Sequence, residues 1–261
     1  MTASTTSRRA RWAGRKAHTL TALGLASLFF AWWLIALGQP TYSLPGPDDA
    51  AVALVHIMTT GKFWAALALT FARAALGFAV ATVVGIAWGW LSGVVEPIEY
   101  LSRGLLQLLM SVPAVVLVIL GMLWFGTNAT VVVFVVGLVG VPVIATSTAE
   151  AVRAIDADLV EMGHLFGLSR IRMLRMIIGP SVVPAILATV TVVMGQSIRV
   201  AVMAELLATG SGLGAAIRLA QINIQTDYVF AYAIVLVLLT YLLDTLVIQP
   251  IQRRAVLYRS Q

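Results

Sequence analysis

Long apolar blocks, separated by short stretches rich in charge, glycine or proline, dominate this chain. Crossing a bilayer's hydrocarbon takes about 20 apolar residues at a rise of ~1.5 Å each. Six blocks qualify: residues 20–38, 64–93, 104–125, 130–149, 181–208 and 229–249. The pattern predicts an all-α polytopic membrane protein of about six transmembrane helices. The first block follows Arg8, Arg9, Arg11, Arg15 and Lys16, as a signal peptide would. It is longer than a usual signal core, and no small-residue cleavage site comes before Gln39-Pro40, so it is read as a retained helix.

The polar stretches set the expected topology. With the first residue inside, thirteen of the seventeen Lys and Arg fall on the cytoplasmic side: the five above with Arg103, Arg153, Arg170, Arg172, Arg175, Arg253, Arg254 and Arg259. Lys62 and Arg218 fall outside, and Arg73 and Arg199 within spans. Positive charge is retained inside, so both termini are expected in the cytoplasm. The outer loop 39–63 carries a Pro45-Gly46-Pro47 turn and then an amphipathic stretch through His56. A second outer loop, 209–228, holds Gly210, Gly212 and Gly214. The inner segment from Glu150 to Gly179 is about thirty residues of charged, helix-prone chain, where a connector needs only a few.

Composition narrows the function classes. Hydrophobic residues make up 60% of the chain and charged residues 11%, which leaves too little polar surface for a soluble domain. There is no cysteine, so disulfides, thiolate metal sites and cysteine nucleophiles are excluded. His18, His56 and His164 lie far apart, without metal-ligand spacing. The net charge of +6 sits at the ends of apolar runs, which argues for membrane topology rather than nucleic acid. Gly61-Lys62 lacks the upstream glycine of a phosphate-binding loop, so this chain is not itself an ATPase and no cofactor is expected on it.

Within the inner segment, residues 150–158 and 159–166 read as two short helical pieces. Gly167 suits the break, Ser169 suits the cap of a helix over 170–178, and Pro180 is expected to end that helix. Leu165, Phe166 and Leu168 form an apolar tip in a collar of Glu161, His164, Arg170 and Arg172. Such a tip fits a groove on another protein or, equally on spacing alone, the lipid headgroup layer.

Glu161-Met162-Gly163, three residues, Gly167, nine residues and Ile177-Ile178-Gly179-Pro180 resembles the EAA loop of binding-protein-dependent ABC permeases. Glu161, Gly167, Ile177 and Pro180 match in register, whereas Met162 and Gly163 replace two alanines and Gly179 replaces a leucine. Thr70-Phe71-Ala72-Arg73 with Gly77-Phe78 is similar to the entry of the family's first core helix. Ser111-Val112-Pro113 with Trp124-Phe125-Gly126 is similar to its next span, though Ile119 stands where a second proline is usual. Ala204-Glu205-Leu206 and Gly210-Ser211-Gly212-Leu213-Gly214 are similar to the end of the fifth helix and its loop.

The resemblance implies the branch importing sulfonates, nitrate, taurine or thiamine precursors. It also implies that Glu161, Gly163, His164, Leu165, Phe166, Gly167, Ile177 and Pro180 form a coupling helix seated on an ATPase. A second permease chain, as a homodimer, two ATP-binding-cassette subunits that bind ATP-Mg, and an extracytoplasmic binding protein would be the partners, in a bacterial inner membrane. The chain then divides into a basic tail at 1–19, a first helix and outer loop at 20–63, a permease core at 64–250 containing the coupling loop 150–180, and a tail at 251–261.

Charges inside spans are costly and face protein or water. Arg73 and Asp244 read as an internal ion pair or snorkelling contact, with substrate contact as the alternative. Glu205 is read as structural for the outer loop. Gln196 and Arg199 share a helical face, so they line the translocation path or make an interhelical contact. Arg73, Ser111, Gln196 and Arg199 are the candidate path residues, with Asn128 a further polar candidate. Gly85, Gly89 and Gly93 space small residues for close helix packing. A secondary transporter not driven by ATP is the alternative class, but no coupling-ion site or internal repeat is evident.

Overall fold

A computed structural model describes residues 20, 23, 24 and 26–250; the basic tails expected at 1–19 and 251–261 lie outside the described residues. Every regular element among the described residues is helical. The described residues divide into two compact units, one of those up to Thr59 with Ala220–Ala233, the other of Thr60–Leu219 with 234–250.

In the first unit, α1 (Ala26–Ala36) is an apolar helix shorter than a full span and covers part of the expected block 20–38. Its Trp32 stacks on Phe230 with ring centres 5.5 Å apart, and its indole N–H donates to the Pro45 carbonyl at 3.2 Å. The Pro-Gly-Pro turn leads directly into α2 (Pro47–Thr59), where proline's missing N–H costs nothing in the first turn. The Asp49 carboxylate accepts the Gly46 N–H at 3.1 Å and fixes that entry. The Thr226 hydroxyl donates to the Tyr42 carbonyl at 2.6 Å.

In the second unit, α3 (Gly61–Val94), α6 (Ala129–Arg153) and α9 (Gly179–Ala208) pack together around Ala81, Val141, Ile144 and Val193. Gly77, Gly85, Gly89 and Gly93 recur along one face of α3, and each meets α6 so closely that a methyl group would strike it. At Gly85, for example, an added Cβ would lie 2.8 Å from the Ile144 Cβ. The small-residue spacing therefore packs two helices of one chain, which is the packing reading of the sequence.

The block 104–125 is not one straight helix. It divides into α4 (Glu96–Ser111) and α5 (Ala114–Phe125), which meet at 98°. Pro113 has no N–H to continue the ladder, and its ring drives Val112 into an extended conformation (φ −77°, ψ 125°). Long helices satisfying the length and composition of a span number four among the described residues, or five if the bent pair is one span. They include the final one, which comes after the short helix α10 (Leu213–Ile222) and holds α11 (Thr226–Leu243).

Beyond α6 come α7 (Ala157–Leu165), then α8 (Arg170–Met173), a π-helical turn Leu174–Ile178, and α9. Three sequence expectations change here. Glu150 belongs to the last turns of α6, not to a separate helical piece, and α7 starts after an Asp156 cap whose carboxylate accepts the Asp158 N–H at 2.9 Å. Ser169 occupies the start of α8 without a side-chain capping bond. Pro180 does not end the helix: Arg170–Ala208 is continuous. The widened turn absorbs the proline, because Gly179 N–H reaches back to the Leu174 carbonyl and the helix needs no donor from residue 180.

Candidate functional site

The α7–α8 hairpin is built from two glycines with different tasks. Gly167 has φ +67°, a left-handed conformation that a side chain resists. Its N–H bonds the His164 carbonyl at 2.9 Å, and Leu168 N–H bonds the Gly163 carbonyl at 3.0 Å. This paired pattern closes the C-terminus of α7 as a Schellman motif. Gly163 is buried where α7 meets the next arm: a Cβ there would lie 2.7 Å from Met173 Sδ and 2.8 Å from Ile177 Cδ1. The glycine in place of the second alanine of the loop pattern thus lets α8 and the π turn fold against α7.

That closure leaves Leu165 and Phe166 presented outward, 81% and 78% exposed. Glu161, His164, Arg170, Arg172 and Arg175 surround them and are also exposed. Ile177 is half-buried and Pro180 exposed. The structure brings the sequence-derived loop residues into one hairpin. Their arrangement offers an apolar knob on a rigid base, with charge on either side.

A second polar cluster joins α3, α9 and the loop after α9. Glu205 is fully buried and Arg73 is 9% exposed. Arg73 Nη1 donates to Glu205 Oε1 at 2.7 Å and to the Ser211 carbonyl at 2.8 Å, while Nη2 donates to Ser211 Oγ at 2.7 Å. The other carboxylate oxygen accepts from the Thr70 hydroxyl at 2.7 Å and from Gly214 N–H at 3.2 Å; Thr70 also accepts the Leu213 N–H at 2.9 Å. Gly212 has φ +101°, and a Cβ there would strike the Glu205 carboxylate. Arg73 thus makes an internal ion pair, the reading that the sequence set beside a path role. Its partner is Glu205, not Asp244, whose carboxylate makes no hydrogen bond or ion pair among the described residues.

The remaining path candidates are not gathered in one place. Gln196 and Arg199 are exposed on one face of α9, and neither side chain makes a hydrogen bond or ion pair among the described residues. Ser111 ends α4, where its hydroxyl donates to the Gln107 carbonyl at 2.8 Å, and it lines a separate cleft. Asn128 caps α6: its side chain accepts Thr130 N–H at 2.8 Å and donates to the Phe125 carbonyl at 2.6 Å. That structural task displaces the path role for Asn128.

Sequence reasoning missed Glu99, which bridges Arg103 and Arg153. The four-residue Glu99–Arg103 spacing was a readable signal for half of it. Among the described residues, no three His, Asp or Glu side chains group as a metal site.

Comparison with known proteins places these features. Residues 81–248 match the family described as binding-protein-dependent transport system inner membrane component. SsuC of Escherichia coli (strain K12), whose name assigns it as an aliphatic sulfonates transport permease protein, is 30% identical over 78% of this chain and 78% of its own. The taurine transport system permease protein TauC of the same organism is 28% identical over 94% of this chain and 91% of its own. Among solved structures, an amino acid ABC transporter chain superposes with a TM-score of 0.64 at 17% identity, covering 77% of this chain and 97% of that one. That likeness is one of fold. The chain belongs to the binding-protein-dependent transport system inner membrane component family, as a multi-pass permease subunit of a bacterial ATP-binding-cassette importer.

Proposed function

We propose that two copies of this chain form the translocation path and that the segment Glu150–Pro180 of each seats on a separate ATP-binding-cassette subunit. ATP-Mg binds to those subunits, and their closure draws the two segments together and tilts the spans. An extracytoplasmic binding protein delivers the cargo to the opposite face. About six spans, with both termini in the cytoplasm, complete the arrangement. The observation that carries this reading is the Leu165–Phe166 knob, exposed at the end of a helix whose closure is fixed by Gly167. Burying such a side chain in a partner groove is worth about 1.5–3 kcal/mol.

The cargo is a small anion, a reading supported by the sulfonate and taurine transport named for the relatives. Gln196 and Arg199 lie on the path. The planar guanidinium of Arg199 suits a sulfonate or carboxylate because it donates to two oxygens at once.

Co-expression with a cognate ATP-binding-cassette subunit tests the docking. Leu165→Ala with Phe166→Ala is expected to abolish co-purification of the ATPase while the permease still inserts. Undiminished co-purification would refute the docking role.

A further inference from the structure

A cleft of about 450 Å³ opens beside the end of α6 that leads into α7. Its charged lining is Glu99 and Arg103 of α4 with Glu150 and Arg153 of α6. One oxygen, Glu99 Oε1, serves both guanidinium groups: Arg103 Nη2 lies 3.2 Å away, one helical turn on, and Arg153 Nη1 reaches it from α6. A single carboxylate thus holds two arginines; with Glu150 the charged lining is neutral overall, and displacing Glu99 frees both guanidinium groups to take another anion. The Arg103 side chain is 71% exposed and that of Arg153 is 34% exposed, so both can turn their remaining N–H groups to a ligand. Ser102, also in the lining, accepts from Trp88 Nε1 at 2.8 Å and from the Ser92 hydroxyl at 3.1 Å, so its own proton is left to donate.

We propose that this cleft is a weak binding site for a small oxyanion of the sulfonate class, which displaces Glu99 from Arg103 and Arg153. The two guanidinium forks match the oxygens of a sulfonate as they match a carboxylate. Glu99 acts as a resident anion: it holds the arginines in place when the cleft is empty and competes with the ligand when it is full. Glu150 also lines the cleft; its carboxylate makes no hydrogen bond or ion pair among the described residues and repels an anion. Both carboxylates keep affinity low. The site itself stands on the cleft; only the class of anion rests on the anion-importer reading.

The test uses the full chain in phosphatidylcholine nanodiscs, with saturation-transfer NMR read on the methyl protons of methanesulfonate. Removing a competing, partly exposed ion pair is worth about 1 kcal/mol, so Glu99→Gln is expected to tighten binding about fivefold. Arg103→Gln is expected to weaken it by a similar factor, and its exposed side chain leaves the fold intact. Unchanged affinity in Glu99→Gln, or equal binding in Arg103→Gln, would overturn the proposal. Loss of the methanesulfonate signal when phosphatidylglycerol replaces part of the lipid would assign the arginines to headgroup phosphate, and would also overturn it. If instead these binding results hold while the assembled importer moves no sulfonate, the anion-importer reading fails and the site remains.

Discussion

Arg73 on α3 and Glu205 on α9, 132 residues apart, meet at 2.7 Å in a buried ion pair that also holds the loop through Ser211 and Gly214. The carboxylate accepts from three donors in two parts of the chain, Thr70 and Arg73 of α3 and Gly214 beyond α9, and Leu213 N–H donates in turn to Thr70. Removing one member of such a pair leaves an uncompensated buried charge, at a cost of about 3–5 kcal/mol. Glu205→Ala is therefore expected to lower the thermal midpoint of the purified chain sharply. The double change Arg73→Met with Glu205→Leu should recover much of that loss, because neither charge is then stranded. Equal destabilisation by the single and double variants would show that the pair is not the source.

Two glycines of the hairpin are expected to respond differently to substitution. At Gly167 the requirement is a left-handed backbone, which costs a branched residue about 1–2 kcal/mol and asparagine less. Gly167→Asn should retain ATPase association that Gly167→Val loses. At Gly163 the requirement is space, so both Gly163→Asn and Gly163→Val should impair it by prising α7 from Met173 and Ile177. Co-purification of the ATPase with each of the four variants reads out the contrast. A Gly167→Asn variant as impaired as Gly167→Val would remove the backbone explanation.

Arg199 and Gln196 have no partner among the described residues, so Arg199→Gln is expected to leave the thermal midpoint unchanged. It should lower the rate of anion transport while the binding protein's affinity and basal ATPase rate stay intact. A fall in stability that is rescued by neutralising Asp244 would make Arg199 a structural ion-pair residue instead.

For Asn128 the opposite split is expected. Asn128→Ala removes the α6 cap and should cost about 1 kcal/mol of stability, with transport per folded molecule unchanged. A transport defect at unchanged stability would restore Asn128 to the path.

Local signals in the sequence were legible because their physics is local. The positive φ at Gly167, the turn into Pro47 and the packing of Gly85, Gly89 and Gly93 each follow from one residue type at one spacing. The 98° bend was written in Val112-Pro113 but hidden by apolar residues on both sides, which read as one span. Pro180 gave the reverse error, since a π turn lets a helix pass a proline that ordinary spacing would make a stop. The partner of Arg73 was beyond reach, because spacing along the chain does not say which of two distant carboxylates a fold brings near. The same limit hid Arg153 from Glu99 while leaving Arg103 in view.

The central claim is that the Leu165–Phe166 knob faces the cytoplasm and is covered by an ATPase. The chain has no cysteine, so Ser169→Cys, a near-isosteric change at an exposed position of the same hairpin that makes no capping bond, introduces a single thiol beside the knob and leaves Leu165 and Phe166 in place. A membrane-impermeant maleimide is expected to label it in inverted vesicles but not in intact cells, and co-expression of the ATPase should protect it. Labelling from the outside of intact cells, or equal labelling in inverted vesicles with and without the ATPase, would contradict the account.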